Sequence, residues 1–360
     1  MKLKKYQNYI NLLFLNKFLK VSFIFFCTVV IVNFFEEIRF SEKYNTEIYY
    51  TIYLSLLNAP SLMFELFPFI FLICVKFFYI DLIDKDEMPI LYSNGISNLK
   101  ILGHLAILSG LLGVILLLLF YSFSSNLKSE YLDLKNRFSN TNQYLAVVND
   151  DGLWIKEEID DSLFIIHAKE FDKNKLRSIT ISETDKYFYN KSTITASNAN
   201  VSSKNWQLKN VSILNDDGSK NNFKSYIYNS SFNGEIISNL FSNLNSLNIF
   251  ELHKLSISYK NIGYSNVDVK IHLNKIYSMP IFYMLMTVLG FIIVNKLKRV
   301  KSKFFVIIFG IFVSVIVYYL SYFSNVLGNK GALPIYLSVW MPLLILFLTC
   351  NIGMIKVNDN

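Results

Sequence analysis

The chain has 360 residues, 52% of them hydrophobic and only 17% charged, with a formal net charge of +8 and a mean hydropathy of +0.34. Soluble domains carry about 25% charged residues, so the composition excludes an ordinary water-soluble domain and favours a membrane protein. Cys27, Cys74 and Cys350 each lie in an apolar run, which argues against a disulfide framework and fits small core residues.

In chain order, a basic N-terminus comes first, with Lys2, Lys4, Lys5, Lys17 and Lys20. The apolar run from Phe18 to Phe35 is too long for the apolar part of a signal peptide, and no small-residue cleavage site follows it. It reads as a retained helix. A bilayer core of about 30 Å needs about 20 apolar residues of helix, and six windows qualify, approximately 18–36, 60–80, 101–123, 279–297, 304–324 and 333–355. The second holds Pro60, Glu65 and Pro68, which predicts a kinked helix end near the outer interface.

Between the second and third windows lies Asp81-Leu-Ile-Asp-Lys-Asp-Glu-Met-Pro, and between the fourth and fifth lie Lys296, Lys298, Arg299, Lys301 and Lys303. Counting six spans from a cytosolic N-terminus puts both basic clusters inside, as positive-inside topology demands. The acidic loop also falls inside, although acidic residues weigh little in that rule.

From 127 to 276 the composition turns to Asn, Ser, Lys and Asp, with 18 Lys plus Arg against 17 Asp plus Glu. The net positive charge therefore belongs to the membrane part and reports orientation, not nucleic-acid binding. Ser162–Ala168, Leu176–Ser182, Ser192–Ala196, Trp206–Leu214 and Phe223–Tyr228 alternate as strands, separated by turns such as Asp150-Asp-Gly and Asn215-Asp-Asp-Gly. Short strands at close spacing predict an all-β sandwich, jellyroll or open barrel. Asn248 and Glu251 have the spacing of a helix-capping box, with Phe250, Leu255 and Tyr259 along the helix and Gly263 ending it. Val267, Val269, Ile271 and Leu273 alternate and predict a strand that feeds the fourth span.

The residues thus read as six membrane-spanning α-helices plus an all-β extracytoplasmic domain. Residues 1–126 form the first membrane half, with a cytosolic segment at 81–98; 127–276 form the β domain; 277–360 form the second half. The chain has no phosphate-cradling Gly-x-x-x-x-Gly-Lys motif and no Gly-x-Ser-x-Gly elbow. His104, His167, His253 and His272 are scattered rather than set at metal-ligand spacing. No catalytic residue, metal site or cofactor is expected in this chain.

Four stretches carry a resemblance. They are Asp86-Glu-Met-Pro-Ile-Leu-Tyr-Ser-Asn-Gly-Ile-Ser, Trp206-Gln-Leu-Lys-Asn-Val, Leu252 to Pro280, and Gly331-Ala-Leu-Pro-Ile-Tyr-Leu-Ser-Val-Trp-Met-Pro. With the three–domain–three layout, they resemble the LptF/LptG permeases of the lipopolysaccharide export ABC transporter. Asp151-Gly-Leu-Trp-Ile-Lys is similar to the first strand of the LptG branch, which is preferred.

The resemblance implies an inner-membrane protein with both termini cytoplasmic, six transmembrane α-helices and an all-β, jellyroll-like periplasmic domain. It implies a heterodimer with an LptF-like paralogue, a dimer of LptB-like ATPases that uses the ATP, an LptC-like single-span partner, and lipopolysaccharide as cargo passed to a periplasmic bridge. It makes Glu87, Leu91 and Gly95 candidates for ATPase coupling, with Gly95 ending the docking helix. Arg137 and Arg39 become candidates for lipid phosphates, and Phe34, Trp154 and Trp206 for acyl chains. Asn33 stands where LptG relatives can carry a lysine. The alternatives are a permease of another lipid or lipoprotein ABC exporter, and a membrane-anchored binding or sensor protein.

Overall fold

The computed structural model describes all residues except 1, 45, 139–152, 160–161, 173, 185–188, 235–236, 238–242, 262–264, 297–302 and 359–360. The turn at Asp150-Asp-Gly, the stop at Gly263 and the basic loop at Lys298, Arg299 and Lys301 lie outside the described residues. The chain divides into two compact units, Met1–Lys128 with Val267–Asn360, and Ser129–Asn266.

The first unit is helical. It contains α1 (Lys2–Tyr44), α2 (Ile48–Asp84), the short α3 (Glu87–Ser93) and α4 (Asn98–Ile115). A π-helical turn, Leu116–Phe120, joins α4 to α5 (Tyr121–Phe138), and the Tyr121 N–H reaches back five residues to the Leu116 carbonyl. The later helices are α7 (Val267–Lys296), α8 (Lys303–Asn329) and α9 (Ile335–Asn358). Among the described residues, six helices are long and apolar enough to cross a membrane.

Two expectations need correction. The second span is no helix end at Pro60: α2 starts at Ile48 and runs through both prolines. In an apolar medium a broken helix strands several backbone groups, so continuity is favoured over a break. The expected strand at 267–273 is instead the start of α7. Val269, Leu273 and Ile276 fall at helical spacing and are buried, and Asp268 suits the positive end of a helix. Seven residues of alternation fit a broad helical face as well as a strand.

Helices α2 and α7 form the centre. Phe18 of α1 lies 5.0 Å from Phe71, and Phe71 stacks on Tyr283 of α7 at 4.9 Å. Tyr79 meets Phe291 of α7 at 4.9 Å. At Gly290 the α7 backbone comes so near α2 that an added Cβ would sit 2.7 Å from the Leu72 carbonyl oxygen. Small residues at such crossings let helices pack closely where lipid supplies no hydrophobic drive.

The second unit holds β1 (Leu153–Ile159), β2 (Ser162–Asp172), β3 (Lys175–Thr184), β4 (Asn190–Asn200), β5 (Asn205–Asn215) and β6 (Lys220–Asn229). They form one antiparallel sheet in sequential order, β1 to β6. Among the described residues the order is a plain meander rather than a Greek key. Alternate residues build one apolar face, including Leu153, Ile166, Ile179, Ile194, Trp206 and Leu208. Gly218, at φ +76°, makes the β5–β6 turn, where glycine alone avoids a steric penalty.

A carboxylate ties the two outer strands together. Glu157 of β1 is 2% exposed and accepts from the Ser230 hydroxyl at 2.9 Å, the Tyr228 hydroxyl at 3.4 Å and the Ser231 N–H. Burial, with the adjacent Glu157 charge, pushes the Tyr228 phenol well above its ordinary range. After the sheet comes α6 (Ile249–Asn261). Its capping box forms as expected: Glu251 N–H donates to Asn248 Oδ1 at 3.0 Å, and Asn248 N–H donates to Glu251 Oε2 at 2.8 Å. Leu252, Leu255 and Tyr259 make the buried face. Phe250, expected among them, is 83% exposed. Two residues before Leu252, it points about 200° away around the helix.

Candidate functional site

The segment between α2 and α4 is built as a small outward-facing platform. Asp86 takes a left-handed conformation (φ +52°) that redirects the chain into α3, which begins at Glu87. The other end closes with a Schellman turn. Gly95, at φ +75°, donates to the Tyr92 carbonyl at 2.9 Å, and Ile96 N–H donates to the Leu91 carbonyl at 3.1 Å. Ser97 then caps α4 by accepting from Lys100 N–H. Gly95 therefore ends the helix as expected.

Met88 and Ile96 are buried and anchor the platform, while Leu91 is half-buried. Ile90 and Tyr92 are the large apolar groups that point outward. Sequence reasoning marked Leu91 and passed over these two, although their places either side of Leu91 on a seven-residue helix put them on other faces. Glu87 is half-buried, and its Oε2 accepts from the Tyr9 hydroxyl of α1 at 2.6 Å. Close by in sequence, Asp81 pairs with Lys17 of α1 at 2.5 Å. His104 of α4 and Asn11 of α1 are 2.7 Å apart. The platform thus combines an outward apolar pair, a carboxylate and surrounding acids, a chemistry suited to a groove with basic and apolar walls.

A second polar centre joins α1, α2 and α5. Asn33, 1% exposed, donates to the Ser55 carbonyl at 3.2 Å. Asn58 donates to Asn33 Oδ1 at 2.9 Å, and Lys128 donates to Asn58 Oδ1 at 2.6 Å. Asn33 is therefore linked, through Asn58, to a lysine from another helix.

A third lies among α2, α7 and α8. Lys275 and Tyr318 both approach Glu65 at 3.5 Å, beside a cavity of about 50 Å³. One water needs about 10–15 Å³ by this measure, so the cavity suits a few waters rather than a lipid chain. Lys76 of α2 is fully buried, with its ammonium in the space left open by Gly310 of α8. Ionisable groups inside apolar spans are the signal that would have marked Lys76 and Lys275.

The lipid candidates divide between the two units. Within the first unit, Arg39 is exposed near the end of α1, and half-buried Phe34 meets Phe35 edge-on at 6.1 Å. Within the second, Arg137 is exposed in the last turn of α5. Trp206 is fully buried, and its indole N–H donates to the Phe232 carbonyl at 2.8 Å. Trp154, the other tryptophan named for acyl chains, lies on the opposite face of the sheet, 54% exposed and 4.2 Å from the His167 ring. Residues 153, 155 and 157 turn inward, so strand alternation sends 154 out. Among the described residues no cluster of His, Cys, Asp and Glu could hold a metal ion.

No curated protein matches the chain. The comparison with protein families matches residues 8–356 to the lipopolysaccharide export system permease LptF/LptG. The match covers both helical stretches and the sheet between them, without distinguishing the two paralogues. The chain therefore belongs to the LptF/LptG family of lipopolysaccharide export permeases, which are multi-pass, non-catalytic transporter subunits.

Proposed function

We propose that the chain is the LptG-type permease of an exporter that draws lipopolysaccharide out of the inner membrane and hands it to a periplasmic bridge. It acts as a heterodimer with an LptF-like paralogue, with an LptC-like single-span protein alongside. Two LptB-like ATPases bind ATP and drive it. The basic clusters orient the termini to the cytoplasm, which sends the unit around 127–276 to the periplasm and segment 81–98 to the ATPases.

The observation that carries this reading, within the family match, is the form of α3. A seven-residue helix opens on Glu87, closes on Gly95 and shows Ile90 and Tyr92 to the outside. It is a docking knob, not a span, and it sits where two spans meet. Glu87 pairs with a basic residue of the ATPase groove. Arg39 and Arg137, both exposed cations, are the proposed contacts for lipid phosphates. The sheet offers an apolar face to acyl chains.

Glu87→Arg tests the docking. It replaces attraction by repulsion at a charge-paired contact, so ATPase co-purification with the permease pair should fall at least about tenfold. Wild-type recovery of the ATPase with that variant would remove Glu87 from the docking role. Reporter fusions at 90, 200 and 329 should read inside, outside and outside; an outside reading at 90 would overturn the orientation.

A further inference from the structure

The N-terminal part of α1, up to Lys17, holds the docking segment at three points. Tyr9 donates to Glu87 of α3 at 2.6 Å, Asn11 pairs with His104 of α4 at 2.7 Å, and Lys17 pairs with Asp81 of α2 at 2.5 Å. The three partners belong to three successive elements that bracket the platform. A single exposed hydrogen bond would be unremarkable; three along one helix, to α2, α3 and α4, make a grip. The Tyr9 bond is to a carboxylate and is short, as charge-assisted bonds are.

Helix α3 is too small to push on the bundle by packing, since Met88 is its buried residue. Helix α1, by contrast, runs 43 residues without a break, about 65 Å at helical rise. It packs along α2 through Phe14 on Phe78 and Phe18 on Phe71. Some 36 Å beyond Tyr9, roughly 24 residues on, Asn33 makes the polar joint with Ser55 and Asn58.

We propose that α1 is the rigid arm that carries displacement of α3 across the bilayer, with Tyr9, Asn11 and Lys17 as the positioning residues that make α1 and α3 move as one body. This rests on reading α3 as the helix that docks an ATPase.

The test uses the permease pair with its co-purifying ATPase in nanodiscs containing lipopolysaccharide. Cys27, Cys74 and Cys350 are replaced by alanine, and Leu12→Cys and Ser93→Cys carry spin labels on α1 and beyond the core of α3. The label separation should stay the same with and without ATP, while lipid extraction proceeds. In the triple variant Tyr9→Phe, Asn11→Leu, Lys17→Met the separation should broaden. Lipid extracted per ATP should then fall about tenfold, with ATPase co-purification unchanged.

A separation that shifts with ATP in the otherwise native protein, or a triple variant with native extraction per ATP, would overturn the arm. If no ATPase co-purifies with the native pair, the docking reading fails instead. The grip is then judged by the same labels in the permease alone, where an unbroadened separation in the triple variant would refute it.

Discussion

Helices α2 and α8 are both apolar enough to span a bilayer, yet 72% of the span residues of α2 are buried and only 17% of those of α8. Hydropathy separates neither from the other, because lipid tails and protein cores are equally apolar. The difference lies in what interrupts the apolar run. Helix α2 carries Asn58, Ser55 and Lys76 on buried faces and meets Gly290 of α7 at a close crossing. Helix α8 turns Phe312, Tyr319 and Phe323 outward and meets α2 at Gly310. In this unit a helix becomes central through small residues and buried polar groups, since the hydrophobic effect does not choose between lipid and protein as neighbour.

Three substitutions should sort along that difference. Gly290→Val drives a branched side chain against the α2 backbone. It should cost about 3 kcal/mol, read as unfolding free energy in bicelles, and wild-type stability would show that the crossing is loose. Asn33→Leu removes two interhelical hydrogen bonds between α1 and α2 and leaves the Asn58 amide short of an acceptor. At about 0.6 kcal/mol for an average interhelical bond and about 1.7 for the strongest, the two bonds together should lower stability by about 1–3 kcal/mol by the same measurement. Phe312→Ala, on the outward face of α8, should change the stability of the single chain by less than about 0.5 kcal/mol. A larger loss there would mean that α8 is more central than its packing shows.

Much of this was legible before any coordinates. Six apolar windows require six spans because backbone polar groups cannot be left bare in lipid. The Asn248–Glu251 cap and the Gly95 stop follow from local chemistry that needs only three or four neighbouring residues. What escaped depends on distance along the chain or on short ambiguous patterns. The Tyr9–Glu87 bond joins residues 78 apart, and nothing local to Tyr9 announces it. The opening of α7 looked like a strand because Val269, Ile271 and Leu273 satisfy both periods over so short a stretch. Trp154 stands between Leu153 and Ile155, both inward, so strand alternation sends it to the other face, a parity that the acyl-chain expectation did not use. Glu157, an acid in a strand, could be recognised as a buried tie only once Ser230 and Ser231 were placed beside it.

The π-helical turn at Leu116–Phe120 has an effect on everything that follows it in the third span. One surplus residue in a helix rotates the remainder by about 100°, so the turn acts as a phase shifter between α4 and α5. With that rotation, Tyr121 reaches His272 at 3.2 Å and Lys128 reaches Asn58. Without it, each would face about a quarter-turn aside, and the ammonium that crowns the Asn33–Asn58 pair would swing away.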